Sequence, residues 1–182
     1  MLSSLINIPN LISLFRLLAS PLLLFVDSRF LPYLFMLLAL TDALDGFVAR
    51  KLKVRTELGM VLDPLADKAL LLVGLYICTF KLYSIPKVLF LTLLMRDGFL
   101  LIGGLLFLKK KGKVPSPSLY GKLTTFSLST TALYAMVFQK GNVLFLAFFL
   151  SQTLVIISWI DYSVRGIYAL KSNTCKKDLE ST

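Results

Sequence analysis

The sequence has no histidine, few charged residues and two cysteines, Cys78 in an apolar run and Cys175 close to the last residue. The absence of histidine excludes imidazole as a metal ligand, proton shuttle or phosphoryl carrier. Two cysteines so far apart make no metal or redox motif and no disulfide framework. Only 16% of the 182 residues are charged, whereas soluble domains have about a quarter. These deficits exclude a soluble enzyme and a disordered chain.

Hydrophobic residues make up 57% of the chain and concentrate in six long runs. A run of about 20 apolar residues can cross a bilayer as a helix. The sequence therefore predicts an all-α integral membrane protein with six transmembrane helices. We expect a single domain over residues 1–182, ending in a polar tail at 172–182. The predicted spans are 8–26, 31–49, 60–80, 85–108, 119–138 and 143–162.

Basic residues between the spans predict the orientation of the chain. The net charge is +10, and in so apolar a chain this excess indicates loops at an anionic membrane surface rather than nucleic-acid binding. Basic residues are more numerous after the second, fourth and sixth spans than in the other loops. Because cytoplasmic loops are the more basic ones, we expect both termini in the cytoplasm and a multi-pass protein of the inner (cytoplasmic) membrane. The basic residues after the second, fourth and sixth spans are Arg50, Lys51, Lys53, Arg55, Lys109, Lys110, Lys111, Lys113, Lys171, Lys176 and Lys177. Those in the other loops are Arg29, Lys81, Lys87 and Lys140.

Four aspartates lie within or at the edge of the second and third spans. Asp42 and Asp45 are three residues apart, and Asp63 and Asp67 are four apart, so each pair shares one helix face. The short connection between the spans places both pairs at one membrane depth. An ionised side chain at mid-bilayer costs about 2.5–3.5 kcal/mol, so basic partners or divalent cations must compensate. A donor set of oxygens favours Mg²⁺ or Mn²⁺.

Residues 42–67 read D-A-L-D-G-F-V-A-R, eight further residues, and G-M-V-L-D-P-L-A-D. This segment resembles the CDP-alcohol phosphatidyltransferase family, whose motif is D-x2-D-G-x2-A-R-x8-G-x3-D-x3-D, at all eight specified positions. Residues 10–16, N-L-I-S-L-F-R, are similar to the family's N-x2-T-x2-R opening, with Ser13 where threonine is usual. Residues 63–68, D-P-L-A-D-K, and 118–124, S-L-Y-G-K-L-T, are similar to the subgroup that uses glycerol 3-phosphate.

The resemblance implies transfer of the phosphatidyl group of CDP-diacylglycerol to an alcohol, with release of CMP. It implies Asp67 as the base that takes the alcohol proton, and a homodimer among membrane lipids whose active site faces the cytoplasm. It also implies two Mg²⁺ or Mn²⁺ ions per site, held by Asp42, Asp45, Asp63 and Asp67. The CDP-lipid would be bound by Asp42, Asp45, Gly46, Ala49, Arg50 and Gly59.

Three basic side chains, Arg96, Lys122 and Arg165, are candidates to hold the phosphate of glycerol 3-phosphate. For Arg96, which lies inside the fourth span, the alternative is a local ion pair with Asp97. For Lys122 and Arg165 the alternative is an ordinary basic residue at the membrane edge, where long side chains reach toward water.

Other functions fit parts of the pattern. Another acceptor (serine, inositol phosphate or phosphatidylglycerol) would share the eight-residue motif. A small cation transporter would also carry acids within its spans, although such transporters often show inverted repeats or broken helices and neither is visible. A purely structural alternative is a charge-paired helix contact among Asp42, Asp45, Arg50 and Lys68.

Overall fold

The computed structural model describes the backbone of residues 8–52, 57–111 and 118–179, and the side chains of 10–41, 62–103 and 118–166. Over these ranges the regular structure is helical, so the all-α prediction is confirmed. The α-helices are α1 (Ile8–Leu22), α2 (Leu31–Leu52), α3 (Glu57–Tyr76), α4 (Lys87–Lys111), α5 (Leu119–Phe138) and α6 (Asn142–Leu179).

The helices begin and end close to the predicted spans, with one large difference. Helix α6 continues to Leu179, well beyond residue 162, because residues 167–179 contain neither glycine nor proline to stop it. Short segments extend two other helices, a 3₁₀ turn at Leu23–Phe25 after α1 and a π-helical turn at Ile77–Lys81 after α3.

Proline in the last turn of α1 is accommodated by a neighbouring side chain. Pro21 has no N–H to donate to the carbonyl of Leu17, four residues earlier. The hydroxyl of Ser20 donates to that carbonyl instead, at 3.1 Å. This contact keeps the last turn of α1 hydrogen-bonded without involving another helix.

The described helices form two compact units. The first contains the chain up to Pro86 together with Leu128–Leu144. In it α1 packs against α2 and α3, around buried apolar side chains such as Phe35 and Leu75. Helices α2 and α3 come so close at Gly74 that a Cβ there would lie 2.4 Å from Cε2 of Phe35.

The second unit contains Lys87–Ser127 and the chain from Phe145 onward. Polar side chains join its helices from within. The hydroxyl of Thr124 donates to the carbonyl of Leu154 at 3.0 Å, and the hydroxyls of Ser127 and Ser151 lie 2.9 Å apart. Hydrogen bonds between hydroxyls across helices are typical of helix packing in membranes.

Apolar and polar side chains are distributed unlike those of a soluble protein. Large apolar residues such as Phe15, Phe126 and Leu146 are exposed, whereas Arg16, Thr124 and Ser158 are buried. Within the described residues, one helical stretch, Asn142–Gly166, is long and apolar enough to cross a membrane, and Asn10–Phe25 and Leu31–Thr41 are apolar but shorter. Six membrane spans therefore stay a prediction.

Candidate active site

A polar stripe runs along one face of α1. Asn10, Ser13 and Arg16 are spaced by three residues, which places them on neighbouring turns of the same face. All three are buried, and Arg16 is the largest of the fully buried side chains. A guanidinium inside a protein needs a compensating charge, so this face of α1 must meet an acid.

The compensating acids are on α3. Asp63 and Asp67 are four residues apart and share a face of that helix. The hydroxyl of Ser13 donates to Oδ1 of Asp63 at 2.5 Å, and Nη2 of Arg16 lies 2.9 Å from Oδ1 of Asp67. The side chain of Asp67 is 47% exposed, whereas that of Arg16 is 0% exposed. Asp67 therefore contacts the interior through one oxygen while the carboxylate remains accessible.

These contacts show that α1 and α3 run in the same direction. Moving along α1 from Ser13 to Arg16 corresponds to moving along α3 from Asp63 to Asp67. Further on, the ammonium of Lys81 donates to the carbonyls of Leu24 and Val26, at 3.1 and 2.7 Å. The order of all these contacts is the same in both segments, so the two helices are parallel neighbours.

The chemistry of this acid pair fits a divalent cation. Asp63 is half-buried and Asp67 accessible, and two carboxylates on one helix face supply the oxygen ligands that Mg²⁺ and Mn²⁺ prefer. Among the described side chains, no cluster of three or more metal-ligating residues occurs. The other predicted ligands, Asp42 and Asp45, lie on α2, and their side chains are outside the described residues.

The remaining residues predicted to bind the CDP-lipid have no described side chains. Gly46, Ala49 and Arg50 belong to the helical backbone of α2, and Gly59 belongs to the first turn of α3. Their proposed contacts stay predictions.

Arg96, a candidate for the acceptor phosphate, is buried in the second unit and already has partners there. Its Nη1 donates to Oδ1 of Asp97 at 3.1 Å, and its Nη2 donates to the hydroxyl of Ser158 at 2.8 Å. Its Cζ lies 5.9 Å from the centre of the Tyr162 ring. The ion pair with Asp97, raised as the alternative from the sequence, is present.

The other two candidates are more exposed. Lys122 is exposed in the first turn of α5. Arg165 is exposed on α6 and its Nε donates to Oδ1 of Asp161 at 3.0 Å, four residues earlier. An Asp–Arg pair with this spacing is typical of a helix surface.

Tyr162 joins Arg96 to the beginning of α5. Its hydroxyl accepts a hydrogen bond from the backbone N–H of Ser118 at 3.2 Å. The hydroxyl of Ser118 accepts from the N–H of Gly121 at 3.0 Å, which caps α5. A Cβ at Gly121 would lie 2.8 Å from the Tyr162 hydroxyl, so a larger residue there would displace this hydroxyl.

Sequence reasoning did not single out Ser158 or Tyr162, although a signal was present. The two residues are four apart on α6, and their spacing predicts a shared polar face. The sequence alone does not show that this face meets Arg96. The role of Arg16 was also left open, because its partner Asp67 is 51 positions away.

Comparison with known proteins gives consistent results. A model of the CDP-alcohol phosphatidyltransferase family matches residues 6–162. A protein of Aquifex aeolicus named CDP-diacylglycerol--glycerol-3-phosphate 3-phosphatidyltransferase is 40% identical over 171 residues, covering 88% of this chain and 96% of that protein. A protein of Wigglesworthia glossinidia brevipalpis with the same name is 32% identical, covering 86% and 93%.

A further similarity involves a larger protein. A cardiolipin synthase (CMP-forming) and mitochondrial hydrolase fusion protein of Schizosaccharomyces pombe is 32% identical over 140 residues, which are 75% of this chain and 23% of the fusion protein. The family match covers most of the chain and includes the polar stripe of α1, the acids of α2 and α3, and the cluster around Arg96. The chain therefore belongs to the CDP-alcohol phosphatidyltransferase family.

Proposed function

We propose that the chain transfers the phosphatidyl group of CDP-diacylglycerol to glycerol 3-phosphate, giving phosphatidylglycerophosphate and CMP. The observation that carries the proposal is the 40% identity to a relative named for this reaction, over nearly the whole of both chains. The complete eight-residue motif supports phosphatidyl transfer to an alcohol, while the choice of glycerol 3-phosphate as acceptor rests on the relatives.

The proposal includes a membrane location with six spans, which suits an enzyme whose donor is a lipid. Exposed apolar side chains cover α1, α4, α5 and α6, and polar side chains point inward, as expected for helices whose outer surface contacts acyl chains. The parallel arrangement of α1 and α3 agrees with a chain that crosses the bilayer once per helix. With the basic loops in the cytoplasm, both termini and the acids face the cytoplasm, where glycerol 3-phosphate and CMP are soluble. A homodimer is part of the proposal.

The proposed reaction is a displacement at phosphorus. The hydroxyl oxygen of glycerol 3-phosphate attacks the lipid-side phosphorus of CDP-diacylglycerol, and a new phosphorus–oxygen bond forms. The bond from that phosphorus to the oxygen bridging to CMP breaks, and CMP leaves with the electron pair. Asp67 accepts the proton of the attacking hydroxyl, which its accessible carboxylate permits.

Four acids would hold the divalent ions on which the family in general depends: Asp42, Asp45, Asp63 and Asp67. When bound, two Mg²⁺ or Mn²⁺ ions supply positive charge against the diphosphate and the attacking oxygen. Gly46, Ala49 and Gly59 leave room for the cytidine, and Arg50 offers its planar guanidinium to the diphosphate.

The acceptor phosphate requires cations on the enzyme. In the proposal the exposed side chains of Lys122 and Arg165 supply positive charge to the acceptor phosphate, and the buried Arg96 supplies further positive charge. Because the charge of Arg96 is offset by Asp97 at 3.1 Å, Lys122 is expected to carry the larger share of this recognition.

The test is release of CMP by the purified protein from CDP-diacylglycerol with each of four acceptors: glycerol 3-phosphate, serine, inositol phosphate and phosphatidylglycerol. We expect release with glycerol 3-phosphate only, and its loss on removal of divalent ions with EDTA. Release with phosphatidylglycerol instead would identify a cardiolipin-forming enzyme. Flux of Mn²⁺ into sealed vesicles without any CMP release would contradict the proposal and favour a transporter.

A further inference from the structure

We propose that Ser13 and Arg16 of α1 are positioning residues for Asp63 and Asp67, and that they set the affinity of this acid pair for its divalent ion. The inference rests on the proposed function, because it assigns α1 a role in the same site. It goes beyond the four acids, since neither Ser13 nor Arg16 contacts the ion or the substrate in this account.

The contacts between α1 and the acids of α3 occur in pairs. Each acid of α3 meets one polar side chain of α1, Asp63 meeting Ser13 and Asp67 meeting Arg16. In both cases the atom contacted is Oδ1. One oxygen of each carboxylate is thus held by α1. This contact orients the carboxylate for binding a divalent ion.

Arg16 and Asp67 differ strongly in burial. Arg16 is 0% exposed and Asp67 is 47% exposed. The guanidinium is therefore part of the rigid interior, whereas the carboxylate lies at the surface of the site. A contact of this kind restricts the rotamer of a side chain that is still partly accessible to an ion.

Contacts to metal-binding carboxylates are expected to change the metal affinity of a site. Groups that hydrogen-bond to metal-binding carboxylates fix their orientation, and removing one of these groups typically costs about 10–100-fold in metal affinity or activity. Ser13 forms such a hydrogen bond to Asp63, and Arg16 is held against Asp67 by an ion pair, with 2.9 Å between Nη2 and Oδ1. A purely structural role in holding α1 against α3 would instead change stability without a specific effect on ion binding.

The chain offers a matched control on the same helix. Ser20 is buried on α1, as Ser13 is, but its hydroxyl donates to the carbonyl of Leu17 within the helix. Ser20→Ala therefore removes a buried hydroxyl from α1 without altering a contact to an acid. Ser13→Thr serves as the conservative variant, because it keeps the hydroxyl.

The experiment measures Mn²⁺ binding to the purified protein without substrate, from the loss of the electron paramagnetic resonance signal of free Mn²⁺, together with kcat and KM. We expect Ser13→Ala to weaken Mn²⁺ binding and lower kcat by about 10-fold, and Arg16→Lys to lower both by about 10–100-fold. The KM values for CDP-diacylglycerol and glycerol 3-phosphate should change far less. Ser13→Thr should restore both quantities, and Ser20→Ala should leave them at the wild-type level.

Wild-type Mn²⁺ affinity in both Ser13→Ala and Arg16→Lys would overturn the inference, as would an equal loss in Ser20→Ala. If Arg16→Lys does not fold, the comparison of Ser13→Ala with Ser13→Thr decides alone. These results are distinguishable from failure of the proposed function, which would appear as absence of CMP release by the wild-type protein with glycerol 3-phosphate.

Discussion

Asp67 combines two properties that are seldom found in one carboxylate. It is nearly half exposed, as a proton acceptor for a soluble substrate must be, and it also contacts a guanidinium that is fully buried. If Asp67 is the proposed base, removing its charge affects both the proposed chemistry and the energetics of α1. The two effects can be separated, because turnover depends on the proton acceptor and stability depends on the charge beside Arg16.

Asp67→Asn should nearly abolish turnover while retaining part of the CDP-diacylglycerol binding, because the amide cannot accept the proton of the acceptor hydroxyl. It should also destabilise the protein by about 1–3 kcal/mol, less than the 3–5 kcal/mol for breaking a fully buried ion pair, since Asp67 is partly screened by solvent. CMP release and the melting temperature in detergent measure the two effects. Wild-type turnover in this variant would remove Asp67 from the role of base.

Lys122→Ala should raise the KM for glycerol 3-phosphate by about 10-fold, the size expected for loss of one hydrogen bond to a charged group. The KM for CDP-diacylglycerol should stay within about twofold of the wild-type value. Lys140→Ala is the matched control, because Lys140 is likewise exposed but lies beyond the opposite end of α5. Equal losses for donor and acceptor would count against phosphate capture by Lys122.

At the scale of helices, α2 and α3 pack closely against each other at Gly74. The absence of a side chain at Gly74 admits the ring of Phe35, which is itself buried. This close approach holds α2 and α3 together.

Gly74→Ala should lower stability, because the added Cβ would lie 2.4 Å from the Phe35 ring. Overpacking of this kind costs about 1–3 kcal/mol, which exceeds the gain of about 1 kcal/mol in helix propensity. Gly98→Ala on α4 is the control, since a Cβ there meets nothing within 4 Å, and it should keep or raise the melting temperature. A Gly74→Ala variant as stable as the wild type would show that Phe35 is free to move.

The positions of the helices were predictable from sequence, because apolar runs of sufficient length form helices wherever they pack. Residues 119–138 were predicted without error as α5. The extension of α6 to Leu179 was missed, since the prediction was based on hydropathy and the helix continues through polar residues. Asn10, Ser13 and Arg16 were noted in the sequence only as part of a family motif, and the sequence did not show which helix they meet.

For the whole molecule, the family was predictable because the motif that identifies it is local and has a fixed spacing. That its four acids form one site stays a prediction. The environment of Arg96 was not predictable from the sequence. The choice between an ion pair and phosphate binding depends on Ser158 and Tyr162, more than 60 positions away. The ion pair with Asp97 shows that a buried arginine inside an apolar run can be compensated by its neighbour.

In the proposed reaction, acids from α2 and α3 bind divalent ions together. The most direct measurement is an experimental structure of the protein with CDP-diacylglycerol and Mn²⁺, with the ions located by anomalous scattering. We predict Mn²⁺ within coordination distance of Asp42 and Asp45 on α2 and of Asp63 and Asp67 on α3, with the contacts of Ser13 and Arg16 retained. Manganese bound elsewhere, or coordinated by neither helix, would contradict the account.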